Sequence, residues 1–269
     1  MIIRKWARHK WQRFALCMWA IALLASGCFL SRNRSGSESS STFVPPRPPA
    51  FLSGPMAVLL TNAAGFSGHV LLETRLPGRP PDTVSGDLLG LGTQLLFSGV
   101  PRTKAARSRG QEIFSWDVAT GRGYVFNEAL QGYAPLTSSL AVANIAVRPG
   151  SRPPEKIAGY RCESEEVTLG STEGTAVYDV WRAPDLKGMP LRIDSPASPA
   201  SFTLSLSNVR LEAPPAKIFL PPEGFTKYDS PEAMTAELIT RQHNLKGNAS
   251  PAFSGDQDFQ PQTPSRGPR

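Results

Sequence analysis

From residue 66 to residue 211, apolar and polar positions alternate with period two over many short runs. That is the pattern of strands that bury one face and wet the other. Residues 66–76 open the series, and Pro77-Gly78-Arg79-Pro80-Pro81-Asp82 breaks it. Residues 83–97 follow with Gly86, Gly90 and Gly92 inside, which predicts bends or bulges in one long strand. Over 111–118, Phe114, Trp116 and Val118 share one face, and Ser115 and Asp117 share the other. Ala119-Thr120-Gly121-Arg122-Gly123 then turns, and 124–126 return as a hairpin arm. Four more strands are expected over 158–169, 175–182, 189–194 and 202–211. Pro184-Asp185-Leu186-Lys187-Gly188 joins the second to the third, with Pro and Asp setting the turn and Gly free to take positive φ. In Phe202-Thr203-Leu204-Ser205-Leu206-Ser207 the alternation is strict, one face apolar and the other hydroxylated.

Helical signals are few. Ser230 suits an N-cap, Pro231 a first turn and Glu232 the positive helix end. Met234, Leu238 and Ile239 form its apolar stripe, and the helix should end within 243–247. Residues 56–64 and 138–147 are further helical candidates. The pattern predicts a mainly β, α+β domain over residues 55–246, built on an antiparallel sheet with a few helices.

The flanks read differently. Residues 31–54 are rich in Ser, Pro, Gly and Arg, and residues 247–269 in Gly, Ser, Pro and Gln, so neither is expected to offset its ordering entropy. Pro45-Pro46-Arg47-Pro48-Pro49 should extend as polyproline II within a tether spanning 28–54. Ahead of it, Arg4, Lys5, Arg8, Lys10 and Arg13 precede an uncharged apolar run from 14 to 27, the layout of a secretory signal. As a helix that run reaches about 21 Å, short of a hydrocarbon core of about 30 Å. The run ends Leu24-Ala25-Ser26-Gly27-Cys28, which resembles the lipobox of bacterial lipoproteins. The resemblance implies cleavage of residues 1–27 and lipid on Cys28. Two acyl chains hold a protein stably on a membrane where one does not. Phe29, where an Asp resembles an inner-membrane retention signal, leans towards the periplasmic face of an outer membrane.

Charge then changes the picture. The chain carries +7, and removing the five basic residues of the leader leaves +2. The high isoelectric point is thus a property of the export signal, and a nucleic-acid partner is not implied. Of three cysteines, Cys17 leaves with the leader and Cys28 takes lipid. Cys162 alone remains, so an internal disulfide or a cysteine metal cluster is not expected.

One order of residues is familiar. Lys156-Ile157-Ala158-Gly159-Tyr160-Arg161-Cys162 is followed by Trp181-Arg182-Ala183-Pro184-Asp185-Leu186-Lys187-Gly188-Met189-Pro190-Leu191-Arg192. Ile218-Phe219-Leu220-Pro221-Pro222-Glu223-Gly224-Phe225-Thr226-Lys227 comes after. This resembles a family of bacterial envelope proteins of unassigned activity, similar to the LolA/LolB lipoprotein-carrier superfamily. The resemblance implies a single strongly curved antiparallel sheet, a half-barrel with helices over its mouth and an apolar concave side that takes acyl chains. LolA is soluble, whereas a lipid-anchored chain is like LolB.

Local catalytic motifs are missing: there is no His-Glu-x-x-His, Gly-x-Ser-x-Gly or Cys-x-x-Cys. His69 and His243 stand alone, and Glu163, Glu165 and Glu166 read as a solvated strand face. No enzymatic role, metal or cofactor beyond the lipid is expected. Phe114, Trp116, Trp181, Phe202, Leu204 and Leu206 are the candidate lining of an apolar cavity. The same residues suit a filled core, because alternation assigns a face and does not reveal a void. The leading expectation is a membrane-anchored lipoprotein that binds lipid, a lipoprotein or another apolar ligand. Its rivals are a structural lipoprotein that docks an envelope partner, and a hydrolase assembled from distant residues. Oligomeric state is not legible.

Overall fold

A computed structural model describes residues 45–100, 110–138, 142–171, 174–195 and 201–247. The expected leader over residues 1–27, the expected lipid site Cys28 and all but the first residue of the expected tail over 247–269 lie outside the described residues. Thirteen strands form one sheet. They are β1 (Asn62–Arg75), β2 (Asp82–Gly92), β3 (Gln94–Gly99), β4 (Glu112–Asp117), β5 (Arg122–Asn127), β6 (Gly132–Thr137) and β7 (Val142–Pro149). The rest are β8 (Glu155–Ile157), β9 (Tyr160–Ser171), β10 (Gly174–Ala183), β11 (Met189–Ser195), β12 (Ser201–Arg210) and β13 (Thr226–Lys227). The order is β13-β6-β5-β4-β3-β2-β1-β12-β11-β10-β9-β7, with β8 also on β9. Every pairing is antiparallel except the two-residue β13 on β6.

This order forces the sheet to curl. Ten inter-strand steps separate β6 from β7, about 48 Å in a flat sheet at roughly 4.8 Å per step. Yet Thr137 ends β6 and Val142 begins β7, and five residue steps span at most about 18 Å. The two ends of the sheet must therefore swing back towards each other, which makes the unclosed, strongly curved sheet that the resemblance implied.

Several expectations change. Residues 83–97 are two strands, because Gly92 takes φ +59 and lets Gly92-Thr93 turn between the paired Leu91 and Gln94. Gly90 is needed for another reason: a Cβ there would meet the Phe66 ring at 2.2 Å. The helical candidate over 138–147 is overturned for 142–147, which belong to edge strand β7 and pair with β9. Residues 56–64 divide into a 3-10 turn, Pro55–Leu60, and the start of β1. The turn after β10 forms as expected, with Lys187 and Gly188 at φ 53 and 74. Helix α2, Pro231–Gly247, starts where expected: the Ala233 N–H donates to Ser230 Oγ at 3.2 Å. Hydrogen bonds from its own backbone N–H and from Ser230 hold the Glu232 carboxyl below its ordinary range.

The tether boundary is a correction too. The ordered domain begins before Pro55. Pro46 is buried, and the Arg47 charge acts on Glu232 of α2. Helix α1, Ala50–Ser53, buries Phe51 and Leu52 completely, and the 3-10 turn buries Met56, Ala57, Leu59 and Leu60. Low-complexity composition concealed a short apolar run, AFLSGPMAVLL, at the end of the Pro-rich stretch. Each fully buried Leu, Met or Phe contributes about 1.5–3 kcal/mol, enough to order residues that the composition alone would leave free.

Candidate functional site: the inner face of the curled sheet

Cross-strand register assigns the faces. One row runs Gly68, Leu88, Phe97, Phe114, Val125, Ala134 from β1 to β6. The next runs Phe66, Gly90, Leu95, Trp116, Gly123, Leu136. In the other direction Val84, Leu72, Leu204, Ile193 and Val180 line up from β2 to β10. Phe66, Gly68, Val70 and Leu72 fall at alternate positions of β1, so all three rows lie on one face. Segment 50–60 packs on that face, Phe51 meeting Phe97 edge to face at 5.1 Å. Met234 and Leu238 of α2 join the same cluster. This is the inner, concave side.

Five of the six candidate lining residues are brought together here. Phe114, Trp116, Leu204 and Leu206 are buried, and Phe202 is half-buried beside Tyr178 at 6.1 Å between ring centroids. Trp181 is the exception and a correction. It pairs with Arg192, which pairs with Ser205, which pairs with the part-exposed Leu71, and so belongs to the outer face. It is nevertheless only 1 % exposed, because Arg192 and Arg152 lie over its ring at 4.8 and 5.2 Å. Arg192 is held by Asp194 at 2.8 Å and Arg152 by Asp179 at 2.9 Å. The Asp194 hydrogen bonds push the Arg192 pKa further up. Among the described residues, the Trp181 indole nitrogen is buried without a hydrogen-bond partner.

The remaining candidate residues have simple settings. Glu165 and Glu166 point to opposite faces of β9, so these two do not form a carboxylate pair. Glu165 instead binds Arg182 at 2.8 Å. His69 Nδ1 lies 3.2 Å from Asp87 on the outer face, and both are open to solvent. Cys162 is a free, fully buried thiol whose pKa burial pushes up. No group of three or more His, Cys, Asp or Glu side chains suited to a metal is found among the described residues. Sequence reading missed β6 and the inward packing of segment 50–60, and the apolar run within 50–60 was its available signal. It also missed that core-face Ile145 and Val147 of edge strand β7 stay 52 % and 55 % exposed beside buried Leu169 and Val167.

The geometry defines a class, a mainly antiparallel, unclosed, strongly curved sheet whose concave face is apolar and covered by short helical pieces. No family model matches the chain, and no curated protein matches it. Among solved structures the chain is similar to PNGF-II, at 12 % identity over 65 % of this chain and 33 % of that one, with a TM-score of 0.36. It thus spans about a third of that protein's length. It is similar to a LolA superfamily protein from Nitrosomonas europaea, at 16 % identity over 61 % of this chain and 96 % of that one, with a TM-score of 0.34. A putative outer membrane lipoprotein-sorting protein domain from Vibrio parahaemolyticus matches at 10 % identity over 57 % and 88 %, with a TM-score of 0.31. No helix among the described residues is long and apolar enough to cross a membrane.

Proposed function

We propose that this chain is a cell-envelope lipoprotein whose curved sheet binds an acyl lipid or another apolar molecule on its concave face. Lipid on Cys28 is its membrane anchor, and the periplasmic face of an outer membrane is its place. The observation that carries the reading is the cover of that face. Apolar rows cross from β6 to β10, and what lies over them includes a run of only eleven residues, 50–60, rather than a second sheet. A small covering element on a wide apolar face suits a site that exchanges apolar occupants. The basic, apolar and small-residue order before Cys28 supports the anchor. The role is one of holding rather than reacting, with no cofactor apart from the lipid.

The test is titration of the mature-length chain, residues 28–269 with Cys28→Ser, with cis-parinaric acid, an intrinsically fluorescent fatty acid. Saturable binding in the micromolar range is expected. A folded chain that takes up no probe overturns the reading. The anchor is tested separately: Cys28→Ala should abolish labelling by a palmitate analogue and release the protein from membranes, and equal labelling of both forms overturns it.

A second reading rests on β7. It is an eight-residue edge strand with Ile145 and Val147 exposed, and such an edge pairs readily with another chain. Docking of an envelope partner there is the alternative if no apolar ligand binds.

A further inference from the structure

The lipid-binding reading, on which this inference rests, meets a difficulty in the structure. The residues best suited to hold an acyl chain have almost no free surface: Leu204 and Leu206 are 0 % and 1 % exposed. Any ligand that reaches them must displace something. The strands flanking them are fixed by ladders on both sides. Segment 50–60 is not. It contains no ionisable residue. Among the described residues, its hydrogen bonds all run within residues 49–61: Leu52 and Ser53 to Pro49, Gly54 to Ala50, Ala57 to Gly54 and Thr61 to Val58. Helix α1 has four residues, the 3-10 turn has six, and neither carries a side-chain cap. Helical pieces so short do not hold their form alone in water. What keeps the segment in place is apolar contact with the concave face, led by Phe51 on Phe97, whose strand neighbour is Phe114.

We infer that segment 50–60 is the resident occupant of the concave face, and that an acyl chain binds by replacing it. The exchange is apolar for apolar. It strands no buried ion or side-chain hydrogen bond in the sheet, and the released backbone groups regain water. Phe51 and Leu52 set the affinity, because the ligand binds only the fraction of molecules whose segment is out, and its apparent dissociation constant is raised accordingly. Weakening the segment's grip must therefore tighten ligand binding, the opposite of what truncating a ligand-contacting residue would do.

The experiment compares the mature-length chain, residues 28–269 with Cys28→Ser, with the same chain carrying Phe51→Ala and Leu52→Ala. Circular dichroism and cooperative urea unfolding check both folds. The double variant is expected to bind cis-parinaric acid about tenfold more tightly. Equal or weaker binding by a folded variant overturns the inference. Hydrogen exchange on the unsubstituted chain gives a second measurement that needs no variant. Adding the probe should speed exchange of amides 50–60 and slow exchange in the flanking strands. Binding that leaves 50–60 equally or better protected overturns the inference while the lipid-binding reading stands. A folded chain that binds no probe in either form removes both.

Discussion

Trp116 and Trp181 are almost equally hidden, at 3 % and 1 % exposed, yet they are buried by opposite means. Trp116 sits on the concave face of β4, in a row with Leu95, Gly123 and Leu136. Trp181 sits on the outer face of β10 under two guanidinium groups, each pinned by an aspartate. The first is covered by hydrocarbon, which does not respond to salt. The second is covered by side chains whose own partners are charged and part-exposed. Burial alone therefore does not identify a ligand surface. The chemistry of the cover does, and it moves Trp181 from the candidate site to the wet side of the sheet.

The comparison can be broken most severely at Trp116. Trp116→Ala empties a volume that the surrounding strands cannot close, and should cost about 3–5 kcal/mol. The readout is the urea midpoint at unchanged slope. A loss below about 1 kcal/mol would place Trp116 at a surface.

Arg192→Ala is next. It uncovers Trp181 and leaves Asp194, whose side chain is 14 % exposed, without its guanidinium. An unpaired, largely buried acceptor costs about 1–3 kcal/mol. In a Trp116→Phe background Trp181 is the one tryptophan after residue 28, so its emission should shift to the red. No shift would show that Arg192 does not shield the ring. Arg152→Ala should do less. Its pair with Asp179 is 50 % and 25 % exposed, and pairs of this kind contribute about 0–1 kcal/mol.

Salt sharpens the same contrast and has the smallest effect. At about 1 M salt the screening length falls to roughly 3 Å. The ion pairs over Trp181 should loosen, and emission from the Trp116→Phe chain should change slightly. Emission from a Trp181→Phe chain, which reports Trp116, should not move. Equal responses would mean that the two covers are alike.

Much of the sheet was legible because alternation is a local property. Strict alternation over 202–207 put Leu204 and Leu206 on one apolar face, and Pro184-Asp185-Leu186-Lys187-Gly188 marked a turn, because these residues meet the turn's backbone demands whatever lies nearby. Ser230 likewise made its helix start visible. The face of Trp181 was not legible. Residues 177–181 carry apolar side chains at both parities, with Val177 and Trp181 on one side, around Asp179, and Tyr178 and Val180 on the other. Only pairing with β9 and β11 decides between them: Val180 meets Ile193, and Trp181 meets Arg192. Residues 50–54 escaped for a different reason. A Pro-rich flank argues for a tether, and nothing local says that they pack with 55–60 against a concave sheet.

The sequence by itself determined β1, β4, β5 and β9 to β12, the turn after β10 and the cap of α2, since these depend on side-chain period and backbone preference within a few residues. The basic, apolar and small-residue order before Cys28 is likewise local, and it is the sequence ground of the proposed anchor. Only the tertiary structure decided which face of the sheet is the inside. The choice depends on partners more than a hundred residues away, as when Leu72 meets Leu204. The same long-range pairing curls the sheet, and curling creates the concave apolar face that segment 50–60 fills.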